Sequence, residues 1–249
     1  MEDGRNEPIS AAEVSSGNGV SSQYVAFCDI LGFSNRVLSD FDGTLEVYKA
    51  FGEAMSESED LQIRATMYSD AILVTAISLD RILGAVQRLW FLALTHDLMI
   101  RGGITRGRYW EQRRGNHFLV ASDALVRAVR LEKSVGVPAV VIADDVEIPD
   151  SYWLWRFTRG QLVTPLLHFR DRNIVNPFNP FWGRSAGTRA TQLMEKSPEH
   201  RDKYLWFLAL HKAVGDGHDL VPPEVLIRFV RDGVLKRASA DQVENPQNT

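Results

Sequence analysis

Apolar and polar positions along this chain change their period several times, and each change marks an element. The run Tyr24-Val-Ala-Phe-Cys-Asp29, bounded by Leu31-Gly32, predicts a short buried strand over 23–29. Ser34 is placed to cap the helix that follows. Val37, Leu38, Leu45, Tyr48, Phe51 and Met55 recur at rough helical spacing, with a break expected near Asp42-Gly43 and the acidic Glu57-Ser-Glu59-Asp60 as its end. Ile63, Ala65 and Met67 then alternate with Gln62, Arg64 and Thr66, the period-2 mark of a half-buried strand. A second apolar run over 71–77 follows after only Tyr68, Ser69 and Asp70, so the two must form an antiparallel hairpin.

Helical spacing returns over 79–97, where Ile82, Leu83, Val86, Leu89, Trp90, Ala93 and Leu94 share one face. Residues 99–110 read as a strand interrupted by glycines, a sign of a bulge or a close backbone approach. A basic hairpin with Arg106, Arg108, Arg113 and Arg114 comes next, then a helix over about 121–134 carrying Leu125, Val126, Val129 and Leu131, then a buried strand at 138–142. The order β-α-β-β-α-β is that of the split βαβ, ferredoxin-like α+β fold. Residues 1–22, rich in Ser, Gly, Glu and Asn, predict a disordered tail, and 23–150 the main domain. The aromatic and proline-rich stretch 151–185 is expected to be irregular but packed. Helices are expected around 186–196, 198–214 and 222–232, packed on the domain up to residue 237, with a frayed tail over 238–249.

Composition narrows the function classes. A net charge of −4 argues against a general nucleic-acid binder, and 45% apolar residues supply a real core. A lone cysteine, Cys28, excludes an internal disulfide and reads as a packed thiol. No apolar stretch reaches the roughly 20 residues needed to cross a bilayer, and the N-terminus lacks the order of a signal peptide, so a cytoplasmic protein is expected.

Two acidic residues interrupt the apolar runs: Asp29 at a strand end and Asp70 at the hairpin tip. A buried carboxylate is costly unless it is paired, hydrogen-bonded or bound to metal. In a split βαβ order the first strand lies beside the hairpin, so Asp29, Asp70 and the carbonyl of Ile30 could form an all-oxygen site for Mg²⁺ or Mn²⁺. The backbone N–H groups from Leu31 through Gly32, Phe33 and Ser34 would open beside it as an anion site. The plainer alternative makes Asp29 a helix cap and Asp70 an ordinary turn residue. Arg127 and Arg130, three apart, share a helix face; one could steady developing phosphate charge, or both could belong to a solvated face with Glu132 and Lys133. Tyr68 could stack on a base or simply serve the hairpin, and Arg101 carries a similar ambiguity. The acidic Asp144, Asp145 and Glu147 read as a solvated loop; no P-loop, Rossmann glycine pattern or histidine metal spacing is present.

Taken together, four segments resemble the class III nucleotide cyclases. Phe27-Cys-Asp29-Ile30-Leu-Gly32-Phe33-Ser34 is similar to their first metal motif, and Ser69-Asp70 falls where they carry Gly-Asp. Arg101-Gly-Gly-Ile104-Thr-Arg-Gly107 resembles their Gly-Ile-x-x-Gly strand, and 123–132 the helix bearing their transition-state Asn and Arg. Matching Arg130 to that arginine puts Val126 at the asparagine, and Thr66 replaces the adenine-reading lysine. Tyr68, Arg101, the Asn176-Pro-Phe segment and Lys203-Tyr-Leu-Trp instead resemble the pyrimidine cyclases of bacterial Pycsar antiphage systems.

The resemblance implies a homodimer with two composite sites and two Mn²⁺ or Mg²⁺ ions per site. Asp29, Ile30 and Asp70 would hold metal; Gly32, Phe33, Ser34, Tyr68 and Arg101 would contact nucleotide; Arg130 would come from the second subunit. The implied reaction converts UTP to 3′,5′-cyclic UMP and pyrophosphate, with CTP to cyclic CMP as the alternative, and the product would act on a separate effector. Two further readings are a cyclase-like module that binds nucleotide without turnover, motivated by Val126, and an RNA binder built on the basic hairpin.

Overall fold

The computed structural model describes residues 19–56 and 62–235. The tails expected to be disordered therefore lie almost wholly outside the described residues, as does the acidic 57–60 segment. The first strand is longer than its apolar run: β1 (Ser21–Leu31) includes Ser21 and Ser22, which were expected in the tail. It is followed by α1 (Phe33–Ser39), α2 (Phe41–Ser56), β2 (Ile63–Tyr68), β3 (Ala71–Ala76), α3 (Leu79–Thr95), β4 (Met99–Arg114), β5 (His117–Ser122), α4 (Asp123–Ser134) and β6 (Val140–Ile142). The helix break falls at Asp40, just before the expected Asp42-Gly43. Ser34 is not the cap: Gly32 stands there at φ 78°, and Ser34 lies inside α1.

The fold is α+β. Among the described residues the strands form one sheet in the order β2-β3-β1-β4-β6, continuing to two later strands, with β5 paired to β4 off that path. β1 runs antiparallel to both β3 and β4, as the split βαβ order requires. Its side chains alternate between two layers. Tyr24, Ala26, Cys28 and Ile30 join α3 in the main core, while Val25 joins Ala124 and Ala128 of α4 on the other face. Every apolar position expected on the α3 stripe is buried.

The α4 stripe differs from expectation. The buried residues are Ala124, Ala128 and Glu132, spaced by four, while Val126 is 51% exposed. Small side chains face the sheet because α4 lies very close to β4. A Cβ at Gly103 would stand 2.8 Å from Leu131 and 2.9 Å from the Ala128 carbonyl; one at Gly107 would meet Asp123 at 2.3 Å. Gly103 and Gly107 therefore make room for the helix, whereas Gly102 makes room for β1, where a Cβ would stand 2.6 Å from the Phe27 carbonyl.

The stretch 151–185 is irregular only in part: 159–165 and 176–182 carry no helix or strand, with Asn176, Pro177 and Phe178 buried, but regular elements lie between and around them. It contains α5 (Asp150–Thr158) and a hairpin of β7 (Leu166–Phe169) and β8 (Arg172–Val175), and β8 pairs with β6 so that the hairpin extends the same sheet. Its turn, Arg170-Asp171, has φ of 52° and 59°. Two left-handed residues normally call for Asn or Gly, so this turn is hidden in the sequence. Buried Asn176 stitches the following loop: its amide donates to the carbonyls of Gln161 and Thr164 at 2.9 and 2.8 Å, and its Oδ1 accepts from Phe178 N at 2.9 Å. Beyond it, α6 (Gly183–Lys196), a 3₁₀ turn at Pro198–His200, α7 (Arg201–Gly215) and α8 (Pro223–Arg231) complete the chain. α7 stacks Phe207 on Trp90 of α3 and sets Trp206 edge-on to Phe169 of β7.

The tight α4–β4 seam yields a stability prediction. Gly103→Val should cost about 1–3 kcal/mol by overpacking. Gly52→Ala, in a helix with open space around the site, should gain roughly 0.5–1 kcal/mol. Urea unfolding midpoints of the two variants check both signs.

Candidate functional site

The split βαβ order carries the end of β1 to the tip of the β2–β3 hairpin. Asp29 is the last β1 residue paired with β3, opposite Ala71, and the Ile30 N–H donates to the Asp70 carbonyl at 2.8 Å. In an antiparallel strand the N–H and C=O of one residue project to the same side, so the Ile30 carbonyl also faces this turn. Ser69 takes up φ 54°, a left-handed backbone that glycine would adopt without strain. Ser34 Oγ donates to Asp70 Oδ2 at 3.2 Å and ties the first turn of α1 to the hairpin. Asp29, Ile30, Ser34 and Asp70 are thus brought together, with Gly32 and Phe33 between them in the chain. Tyr68, 60% exposed, stands at the end of β2 beside the turn.

Asp29 points to the α4 face of the sheet. Arg101, its direct cross-strand partner in β4, donates Nε to Asp29 Oδ2 at 3.1 Å. The same Nε stands 2.8 Å from Oε1 of Glu132, whose side chain is 5% exposed. The solvated-face alternative for Arg127 and Arg130 included Glu132; Glu132 is instead buried under α4 and closes a three-residue ion cluster. The spacing Ala124-x₃-Ala128-x₃-Glu132 was the available signal, since it puts the glutamate on the helix's inner line.

The electrostatics follow from burial and neighbours. Burial pushes the Asp29 carboxyl above the usual range; Arg101 opposes the rise, Asp70 adds to it, and the Lys203 ammonium of α7 opposes it more weakly. Burial likewise raises Glu132, against Arg101 and with Asp29. The Cys28 thiol, buried and near both carboxylates, is pushed up to about 12, which makes it an inert packed thiol. Lys203 thus brings the start of α7 into the field of Asp29, a link across the chain that periodicity does not reveal.

The two arginines of α4 part company. Arg127 forms an ion pair with Asp145 and donates to the Arg106 carbonyl, so the loop expected to be solvated is tied to the helix. Arg130 is exposed and outside the Asp29 cluster. Val126, one turn before it, is exposed as well.

As to metal, the donor set fits a hard cation: two carboxylates and a carbonyl, all oxygen. Among the described residues no group of three or more His, Cys, Asp and Glu gathers as a ready cage. Two carboxylates with open positions is how Mg²⁺ is commonly held, the remainder coming from water and substrate phosphates. No helix among the described residues is long and apolar enough to cross a membrane.

No protein-family model matches the chain, and no curated protein matches it. Solved structures similar to it include an adenylyl cyclase from P. aeruginosa, with 14% identity, TM-score 0.41, and 63% of this chain and 93% of that one covered. Another is the guanylyl cyclase domain of a fusion protein from the aquatic fungus Blastocladiella emersonii, at 16% identity and TM-score 0.40, covering 63% and 97%. A third is a bacterial light-regulated adenylyl cyclase, at 12% identity and TM-score 0.39; the match covers 49% of this chain and only 43% of that one. Likeness at this level is one of outline and assigns no residue a role.

The raised carboxyl of Asp29 predicts a pH signature. A carboxyl whose folded pKa lies above the unfolded value of about 3.9 stabilises the fold below that value and loses this contribution as pH rises through the folded pKa. In metal-free buffer Asp29→Asn should therefore gain stability relative to wild type between pH 4 and pH 7. Urea midpoints at the two pH values measure it; an equal difference at both would remove burial as the cause.

Proposed function

We propose that the chain is a metal-dependent pyrimidine nucleotide cyclase, taking UTP to 3′,5′-cyclic UMP and pyrophosphate, with CTP as the second candidate substrate. The observation that carries the reading is the meeting of Asp29 and Asp70, two oxygen donors on neighbouring backbone segments held together by the Ile30–Asp70 hydrogen bond. A divalent ion bound there, Mn²⁺ or Mg²⁺, supplies charge neutralisation for the triphosphate and lowers the pKa of the attacking hydroxyl. In the reaction the ribose O3′ bonds to the α-phosphorus, the bond from that phosphorus to the bridging oxygen breaks, and pyrophosphate leaves.

The chain's own residues would do the following. The N–H groups of Phe33 and Ser34, in the first turn of α1, which has no side-chain cap, would be offered to phosphate oxygens. Tyr68 offers its exposed ring to the base. Thr66 carries no cationic group to read a purine, which supports a pyrimidine. Arg130 would reach the transferring phosphoryl group of a second copy's site; its exposure beside Val126 fits an α4 face covered by a partner, and hence a homodimer. The antiphage role, with a cyclic product acting on a separate effector, rests on the resemblance to Pycsar cyclases.

A second reading, nucleotide binding without turnover, is favoured by one observation: Val126 stands where the cyclases carry their transition-state asparagine. Incubation with each of the four nucleoside triphosphates and Mn²⁺, with products identified by mass, separates the readings. Cyclic UMP or cyclic CMP is expected, and Asp70→Ala should abolish it. Arg130→Ala should lower turnover by about 10²–10³-fold, the usual cost of one charge-stabilising donor. Mixing the two inactive variants should restore activity if each site draws on two subunits. Intact UTP recovered from a tight complex would support the binding module, and inertness toward all four nucleotides would overturn the cyclase.

A further inference from the structure

Tyr48 is a residue that the proposed reaction leaves unused. It belongs to α2, outside the hairpin, yet it meets the turn that presents Asp70. Burial pushes the Tyr48 phenol up, and a hydrogen bond with the Ser69 backbone opposes the rise. A bond that favours the ionised phenol is one that its oxygen accepts, so the Ser69 N–H is the donor. The ring itself packs against Phe33 of α1, with centroids 5.9 Å apart. Tyr48 and Ser69 line one cavity of about 300 Å³, with Phe33, Val37, Phe41 and Leu45 as its apolar wall.

The turn has need of a restraint. Tyr68 pairs with Ala71, so Ser69 and Asp70 form a two-residue loop. Ser69 stands at φ 54°, whereas Asp70 is not at positive φ. Positive φ at the first loop residue alone is the sign pattern of a II′ turn, where glycine is favoured because a Cβ strains that backbone. Serine carries the strain here. Its N–H also lies outside the hairpin ladder and calls for a partner. The cavity beside it is room into which an untethered turn can relax. Asp70 is held at two atoms, its carbonyl by the Ile30 N–H at 2.8 Å and its Oδ2 by Ser34 at 3.2 Å, but neither contact acts on Ser69.

We propose that Tyr48 is a positioning residue: its hydroxyl accepts the Ser69 N–H, holds the left-handed turn in place, and so fixes where the Asp70 carboxylate stands for a divalent cation. The proposal rests on the reading of Asp70 as a metal-holding carboxylate. The ring supplies packing and the oxygen supplies the restraint, so Tyr48→Phe separates the two.

Two measurements on the full chain test this. In metal-free buffer, amide hydrogen exchange at Ser69, followed by NMR, reads the hydrogen bond itself. Tyr48→Phe should speed that exchange roughly three- to tenfold, the range that one hydrogen bond of ordinary net strength supplies. Mn²⁺ binding without nucleotide, followed by electron paramagnetic resonance, should weaken by a similar factor. Adding Ser69→Gly removes the backbone strain and should return the Mn²⁺ affinity of Tyr48→Phe to within twofold of wild type, a rescue that lost ring packing would not allow. Unchanged exchange at Ser69, Mn²⁺ affinity of Tyr48→Phe within twofold of wild type, or a double variant as weak as Tyr48→Phe alone overturns the proposal. Wild-type protein with no Mn²⁺ binding sensitive to Asp70→Ala overturns the metal reading, and the proposal with it, whatever the exchange at Ser69 shows.

Discussion

The constraint on which the rest of this structure depends is the distance between α4 and β4. Gly103 and Gly107 strip the strand of side chains where the helix crosses it, and Ala124 and Ala128 strip the helix. Close-packed interiors cannot absorb an added methyl there without displacement. From that approach follow the burial of Glu132, its reach to Arg101, and the narrow second core with Val25 and Leu73. The polar cluster is a product of the same seam that stabilises the sheet's second face.

Much of the fold was legible. The α3 stripe, the β2–β3 hairpin and the β-α-β-β-α-β order came directly from hydrophobic period, because each buries one face against one neighbour. The β7–β8 hairpin was not, because its turn uses Arg170 and Asp171 at positive φ where composition gives no cue. The α4 face was misread for a different reason. Of the expected stripe, Leu125 and Leu131 pack against the two cores but Val126 is exposed, because close packing selects alanine over larger groups on the line that meets the sheet, and period counting weighted toward size misses that line.

The candidate site divides in the same way. Asp29 and Asp70 were visible as carboxylates in apolar surroundings, and the backbone brings them together. Glu132 was hidden in what read as a charged helix end, and the influence of Lys203 required knowing that α7 returns to the sheet. Ser34 shows how a residue type can mislead. It has the chemistry of a cap, yet Gly32 takes that place and the hydroxyl goes to Asp70.

The sheet order has a consequence for how the chain is made. β1 is synthesised before either of its partners, with α1, α2 and β2 emerging before β3, and α3 before β4. Its two long edges pair with residues 71–76 and 99–109. During translation it therefore waits, apolar and unpaired, for tens of residues to leave the ribosome, and such non-local pairing is slow and exposed to aggregation. Asp29 at the end of that waiting strand puts a charge where a purely apolar edge would recruit a neighbouring nascent chain. The carboxylate proposed to hold a metal in the folded protein would also act earlier, as a gatekeeper for a strand without a partner.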